Sequence, residues 1–225
     1  MFNKFKALFR SEDLLEEAFS ITVRMLEFDL EMYQASRHTL RELDSADLPF
    51  DIKKTDRKIN KYEREVRRQV LTHLSIAGTA DLVPGLVLVS IVVDVERIGD
   101  YTKNMYDLAT NHERRLKGGA FENDIRELER HVEETFPKTI AVLRDQDKEL
   151  ARTVMHQEDT MGKKSEAIVA GLMQQRDKDI PMASAIALAL YARYLKRINA
   201  HLTNIASAIV NPFPRISFRE KLKKS

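Results

Sequence analysis

One five-residue segment occurs twice in this chain, as Glu96-Arg97-Ile98-Gly99-Asp100 and, 100 positions later, as Lys196-Arg197-Ile198-Asn199-Ala200. Asn104 and Asn204 repeat at the same separation. A separation of this size indicates a duplicated domain, because the units of solenoid proteins recur roughly every 20 to 50 residues. We therefore expect two related structural repeats in tandem.

The composition and the spacing of apolar residues predict an all-α protein. The chain has 225 residues with only 7 glycines and 6 prolines, and residues that favour helices are abundant. From Leu14 onward, apolar residues recur at spacings of four and three, the pattern of a helix in a bundle. Ser11, followed by two acids, predicts the start of the first helix, and Pro181 lies near the start of the last.

Breaks in the apolar pattern divide the chain into two halves. Gly78-Thr79 turns the chain between the second and third helices, and Lys117-Gly118-Gly119 marks the joint between the halves. We expect two tandem antiparallel three-helix bundles, similar to spectrin repeats and related by duplication. The predicted divisions are a basic amino-terminal segment (1–10), a first repeat (11–116), a second repeat (120–211) and a basic carboxy-terminal tail (212–225).

The composition excludes several classes of function. The chain has no cysteine, which excludes thiol nucleophiles, disulfides and thiolate metal sites. Lysine and arginine exceed the acids by only 37 to 35, so no overall field exists to hold nucleic acid. The longest apolar run, residues 82–93, is shorter than the roughly 20 residues of a membrane span. Charges recur every few residues at the amino end, unlike in the apolar core of a secretory signal, so we expect no secretion. We expect a cytoplasmic protein that binds no nucleic acid.

The sequence shows no arrangement of catalytic residues. It contains neither a phosphate-binding glycine loop nor a nucleophile elbow. None of its six histidines follows a glutamate by three residues, which disfavours the Glu-x-x-His sites of di-iron carboxylate proteins. We therefore expect that the protein is not an enzyme.

Oxygen-bearing side chains lie along one face of the third predicted helix. Glu96, Asp100 and Asn104 are spaced by four residues, and this spacing places them on one line of the helix surface. Two carboxylates one turn apart repel each other unless solvent, a cationic side chain or a metal ion lies between them. A metal at such a site is a hard or borderline ion. The alternative is a solvated acidic patch neutralised by Arg97.

The second predicted helix offers a matching set of oxygen ligands. Asp56, Asn60 and Glu63 are four and three residues apart, which also places them on one helix face. An antiparallel neighbour would bring them opposite the acids of the third helix. The other face of this helix is basic, and either it is an ordinary solvated face or it meets phosphate, an acidic partner or anionic lipid. The residues of that face are Lys53, Arg57, Lys61, Arg64 and Arg68.

The second repeat keeps part of this acidic pattern. Asp159 and Glu166 occupy the matching places on its middle helix. Lys196 and Ala200, however, replace the two acids of the duplicated segment. We therefore expect a metal ion in the first repeat only, with an ammonium group supplying the positive charge in the second.

The duplicated segment resembles the metal motif of the PhoU family of phosphate-signalling regulators. The resemblance runs from about Leu14 to Ile209 and includes Thr55-Asp56-Arg57-Lys58-Ile59-Asn60. It implies two three-helix bundles that bind a divalent or trivalent metal ion, such as iron, zinc, nickel or magnesium. On this chain the motif falls on Glu96 and Asp100, with Asp56 in support. The weaker candidates are Asn60, Glu63, Asn104 and Asp159.

The same resemblance implies a role in phosphate homeostasis. PhoU proteins are cytoplasmic, often dimeric adaptors rather than enzymes. They damp phosphate uptake and the phosphate-starvation response through contacts with a phosphate ABC transporter and a membrane sensor histidine kinase. The basic termini of this chain would suit peripheral contact with the inner face of the membrane. Two alternatives are a helical accessory protein of another ion or phosphate permease and a metal-free helical dimerisation module.

Overall fold

The computed structural model describes residues 2–44, 51–112, 114–156 and 158–220, with side chains described from Leu14 onward except at 158 and 159. Within these ranges the chain forms seven α-helices and two single-turn 3-10 helices, and no strand. The prediction of an all-α fold is confirmed. The helices are α1 (Phe2–Glu42), α2 (Ile52–Ala77), α3 (Leu82–Asn111), α4 (Glu122–Asp145), α5 (Lys148–His156), α6 (Glu158–Met173) and α7 (Met182–Val210).

One predicted helix limit differs from the structure. Helix α1 begins at Phe2 rather than at Ser11, because serine and acidic residues cost a helix interior little and do not by themselves stop a helix. The described part of the predicted fifth helix consists of α5 and α6, and residue 157 between them lies outside the described residues. Together they take the place that α2 has in the first repeat.

The helices pack as two bundles that are joined along α3 and α7. Helices α1, α2 and α3 pack on one another in the first bundle, and α4, α5 and α6 pack with α7 in the second. Helices α3 and α7 also pack against each other, and α1 contacts α4. Tandem three-helix bundles are therefore confirmed, with α5 and α6 together as the middle arm of the second.

Side-chain contacts show that α3 and α7 run antiparallel. The Asp94 carboxylate lies 2.7 Å from Nδ1 of His201 and accepts a hydrogen bond from the Asn204 amide at 3.0 Å. Further along α3, the ring of Tyr101 packs on that of Tyr194, which is earlier on α7. An approximate twofold relation between the repeats follows from this pairing of equivalent helices.

Local backbone features match the turns. Gly78 follows α2 with φ of 75°, a conformation that L side chains rarely adopt. Pro84 lies in the first turn of α3, where backbone N–H groups have no partner within the helix. Among the described residues, no helix is long and apolar enough to cross a membrane.

One hydrophobic cluster extends through both bundles. The fully buried rings of Tyr33 on α1 and Phe136 on α4 pack with their centroids 5.4 Å apart, across the junction of the repeats. Met25, Val95 and Leu195 contribute to the same cluster. The repeats therefore share a core instead of folding around separate ones.

A buried ion pair joins the repeats near this junction. Arg41 on α1 donates from Nε to the Glu129 carboxylate on α4 at 2.7 Å, and the two side chains are 2% and 5% exposed. Arg41 also donates to the carboxylate of Glu122 and to the backbone carbonyl of Leu116. The Tyr191 hydroxyl on α7 donates to Glu129 at 2.7 Å. The network thus connects α1, α4, α7 and the segment between the repeats.

We expect Arg41→Met to lower the free energy of unfolding by about 3 to 5 kcal/mol, because Glu129 would stay buried without its partner. Arg126 is the matched control, since it binds the same Glu122 at 2.7 Å but is 56% exposed. Arg126→Met should cost less than about 1 kcal/mol. Urea unfolding followed by circular dichroism measures both values. Equal costs for the two variants would show that the buried pair does not join the repeats.

Candidate metal centre

The structure brings the main predicted acids together between α2 and α3. Asp56 on α2 and Asp100 on α3 face each other, and Glu96 lies one turn before Asp100. The ammonium group of Lys103 lies between the two aspartates, 3.1 Å from Oδ1 of Asp56 and 2.9 Å from Oδ1 of Asp100. A cationic side chain therefore already bridges two of the predicted ligands.

The bridge keeps Lys103 charged. Burial alone would lower the pKa of Lys103, but its hydrogen bonds to Asp100 and Asp56 outweigh this effect and raise the pKa. Arg97, which the sequence indicated as the neutralising group, comes no closer than 4.0 Å to Glu96 and is mostly exposed. Lys103 is thus the closer of two cations that balance charge in this cluster, and Arg97 only partly offsets the raised pKa of Glu96.

A fourth carboxylate, Asp29 on α1, lies beneath these acids. Its side chain is fully buried, and neither carboxylate oxygen has a hydrogen-bond partner among the described residues. Burial raises the pKa of Asp29 well above its ordinary value, and the charges of Glu96, Asp56 and Asp100 raise it further. We call Asp29, Asp56, Glu96 and Asp100 the carboxylate cluster.

The duplicated segment shapes the space for Asp29. A Cβ atom at Gly99 would lie 2.9 Å from Oδ1 of Asp29, closer than real Cβ contacts allow. Glycine at this position lets the carboxylate approach the backbone of α3. The sequence motif therefore combines two acids with a glycine that admits a third acid from another helix.

The environment of Glu96 also disfavours its ionised form. Burial raises the pKa of the half-buried Glu96, and the negative charges of Asp100 and Glu63 add to the shift. Among the described residues, Glu96 has no hydrogen-bond donor in contact. Asp29 and Glu96 are thus the members of the cluster whose charge is least compensated.

The weaker candidates lie at the edge of the cluster or outside the described side chains. Glu63 is largely buried and pairs with Arg67 at 2.8 Å. Asn60 and Asn104 are half-buried. The Asp159 side chain falls outside the described residues.

The second repeat has different chemistry at the equivalent place. Lys196, the counterpart of Glu96, donates to the carboxylate of Glu166 on α6. Asn199, the counterpart of Gly99, lies beside His131 on α4, so a histidine takes the place that Asp29 has in the first repeat. Burial lowers the pKa of His131, and the neighbouring Asn199 amide offsets part of this shift.

The donors of the carboxylate cluster suit a hard cation, since all of them are oxygens and two oxygens of Asp29 are buried and unpartnered. As the described side chains are placed, no three Asp, Glu or His residues form a ready ligand set. Binding of a metal ion would require Lys103 to leave Asp56 and Asp100. The cluster therefore fits a metal in its chemistry, with Lys103 as the competing cation.

Asp29 was not predicted from the sequence because this residue lies within the apolar pattern of α1. Asp29 belongs to a row on α1 with spacings of four and three whose members are all buried, and it is the charged residue of that row. The row is Thr22, Leu26, Asp29, Tyr33, Ser36 and Leu40. An acid in a buried row of a bundle helix requires a cation, a proton or a hydrogen-bond donor.

Comparison with known proteins gives the family of this fold. The PhoU domain matches the chain twice, over residues 22–109 and 125–209. The chain is 22% identical over 200 residues to a phosphate-specific transport system accessory protein PhoU homologue from Synechocystis sp., covering 88% of each protein.

Two solved structures are similar to it. PhoU from Pseudomonas aeruginosa superposes with a TM-score of 0.80 at 20% identity, over 88% of this chain and 96% of the other. The phosphate transport system regulatory protein PhoU from Streptococcus pneumoniae superposes with a TM-score of 0.73 at 12% identity, over 89% and 95% of the two chains. With both repeats matched by the same domain, the chain belongs to the PhoU family.

Proposed function

We propose that this protein damps phosphate uptake and the phosphate-starvation response as an adaptor between a phosphate ABC transporter and a membrane sensor histidine kinase. The observation that supports this role is the match of the PhoU domain to both repeats, because the matched residues include nearly all of the two bundles. The similar proteins are named as accessory and regulatory proteins of phosphate transport. The adaptor has no catalytic role, acts as a homodimer in the cytoplasm, and contacts the inner face of the membrane through its basic termini.

A metal ion in the first repeat is part of the proposal. Asp29, Glu96 and Asp100 would hold it, with Asp56 in support, and the second repeat would hold none. The ion would supply the positive charge that Asp29 and Glu96 lack, and would tie α1 to α3. An all-oxygen ligand set suits magnesium or iron better than nickel or zinc.

We expect Asp29→Asn and Glu96→Ala to lose most of the metal that the wild-type protein retains after incubation with each candidate ion and gel filtration. The reason is that each change removes an anionic ligand. Lys196→Ala is the control from the second repeat, and its metal content should match the wild type. Elemental analysis by mass spectrometry gives the metal-to-protein ratio. Equal ratios in all four proteins would contradict a site in the first repeat.

The pH dependence of stability tests the state of Asp29. Because its folded pKa is raised, Asp29 is protonated in the folded state and ionised in the unfolded state from about pH 3.8 upward, until the raised pKa is reached. The folded state then binds more protons, so the free energy of unfolding falls by about 1.4 kcal/mol per pH unit over this interval. We expect metal-free Asp29→Asn to lose this fall.

Asp145→Asn, at an exposed position, is the control and should keep the fall with pH. A saturating metal should abolish the fall in the wild type, since the bound ion keeps Asp29 ionised. The measurement is urea unfolding across a pH series. A fall in Asp29→Asn as steep as that of the wild type would show that Asp29 is not the titrating group.

A metal-free helical dimerisation module is the second candidate, and the placement of Lys103 favours it. The ammonium group of Lys103 already bridges Asp56 and Asp100 and offsets part of their negative charge. Lys103→Met separates the two candidates. It should raise metal affinity if an ion competes with the amine, and should only lower stability if the amine is the resident cation.

The adaptor role predicts physical association with transport machinery. We expect the tagged full chain to copurify phosphate transporter subunits from detergent-solubilised membranes, and Arg126→Met to behave as the wild type because it leaves the fold intact. Quantitative mass spectrometry of the captured proteins provides the measurement. Capture of subunits of a different permease instead would replace the phosphate transporter as partner.

A further inference from the structure

Helix α2 presents an entirely basic face to solvent. Every exposed charged residue of this helix, which is described along its whole length, is a lysine or an arginine. Its two glutamates, Glu63 and Glu65, are less exposed and pair with Arg67 and Arg68. The exposed cations are Lys53, Lys54, Arg57, Lys58, Lys61, Arg64, Arg67 and Arg68.

Four of these cations form a line with no ion pair among the described residues. Lys53, Arg57, Lys61 and Arg64 recur at spacings of four, four and three, so they share one side of the helix. The line from Lys53 to Arg64 is roughly 17 Å long at the helical rise per residue. Exposed like charges held this close repel one another, and an external anionic surface would relieve that repulsion.

An apolar end continues the same surface. Leu71 is 68% exposed and lies five helical turns beyond Lys53, on the same side of α2. Leu82, Val83 and Leu86 are exposed where α3 begins, across the turn from Ile76. We call these five residues the apolar end. A cationic line that leads into exposed large apolar side chains is typical of protein surfaces that lie on lipid.

We propose that the basic face of α2 and the apolar end dock this protein on an anionic phospholipid surface. The line of cations would lie along the headgroups while Leu71 and Val83 enter the boundary between headgroups and acyl chains. A lipid surface fits better than an acidic protein, because the exposed charges of α2 are all positive and the line of cations leads into exposed large apolar side chains. This surface differs from the basic termini and stands independently of the adaptor role.

The second repeat provides an internal comparison. Its corresponding end is also apolar, since Met173 is 81% exposed and Met182 and Ile186 are exposed as well. The exposed charges of α6, in its described part, are of both signs, with Lys163 and Glu166 on its surface. An apolar end is thus common to both repeats, whereas the basic face belongs to the first.

The test is flotation of the full chain with vesicles of phosphatidylglycerol and phosphatidylcholine, compared with vesicles of phosphatidylcholine alone. The wild type should float with the anionic vesicles, stay behind with the neutral ones and be released as salt rises. Each cation near an anionic surface contributes about fivefold in partitioning. The variant Lys53→Gln/Arg57→Gln/Lys61→Gln/Arg64→Gln should therefore partition on the order of several hundredfold less.

Matched variants separate this surface from net charge and from general apolarity. Lys148→Gln/Lys163→Gln/Lys178→Gln/Arg193→Gln removes the same charge from exposed positions of the second repeat and should bind as the wild type. Leu71→Ser/Val83→Ser should weaken binding, and Met173→Ser/Ile186→Ser should not. All the changes are at exposed positions, and circular dichroism verifies that each variant folds.

Three results would overturn the proposal. Equal partitioning of the wild type onto anionic and neutral vesicles would show that binding does not depend on electrostatic contact with the lipid. Equal losses in the two charge variants would assign binding to net charge rather than to α2. Failure of the folded wild type to bind any vesicle would leave an acidic protein as the partner of this face.

Discussion

The packing of α3 against α7 is the constraint on which the rest of this structure depends. Each of these helices packs within its own bundle and also against the other, so each must be apolar around most of its circumference. This double packing accounts for residues 87–93 of the apolar run, whose earlier members Leu82, Val83 and Leu86 are exposed. Asp94 pairs across this interface with Nδ1 of His201 and with the Asn204 amide. Acids of α3 that face neither core, Glu96 and Asp100, are left to meet α1 and α2.

The fold was predictable because it follows from patterns that extend over many residues. A duplication at 100 positions, apolar spacings of four and three, and breaks rich in glycine are repeated signals, and one irregular position does not alter them. The limits of single helices depend on fewer residues and were less accurate. Ser11 resembles a cap, yet α1 continues through it.

The candidate site was predictable only where its residues share a helix face. Glu96 with Asp100, and Asp56 opposite them, follow from spacing and from the antiparallel arrangement of α2 and α3. Asp29 comes from a third helix, and a sequence without coordinates does not show which row of α1 meets Gly99. Lys103 lies three residues after Asp100, but its choice of partners depends on the distance between α2 and α3. Contacts between side chains on different helices were therefore the part of the site that the sequence did not predict.

The asymmetry between the repeats extends beyond the duplicated segment. In the first repeat, Lys103 reaches Asp56 and Asp100, while the buried Asp29 has no hydrogen-bond partner among the described residues and the nearest cation to Glu96 is Arg97 at 4.0 Å. In the second repeat, Lys196 pairs with Glu166, and a histidine replaces the buried aspartate. The duplication has thus preserved the packing of both bundles while concentrating carboxyl groups in one of them.

Helix α2 separates two kinds of charge by placing them on different faces. Asp56 and Glu63 lie on the face toward α3, while the unpaired cations of α2 lie on a different, exposed face. Attraction between the two sets is therefore weak, and each set remains available to a binding partner outside the helix. A net charge of +2 for the whole chain conceals this separation. Because the basic face and the carboxylate cluster occupy different sides of one helix, contact of the first with an anionic surface would leave the second uncovered. A cation that binds to or leaves the cluster would then change how α1 and α3 pack on α2 while α2 is held at the anionic surface. Ion binding would in this way change the position of the bundle relative to that surface.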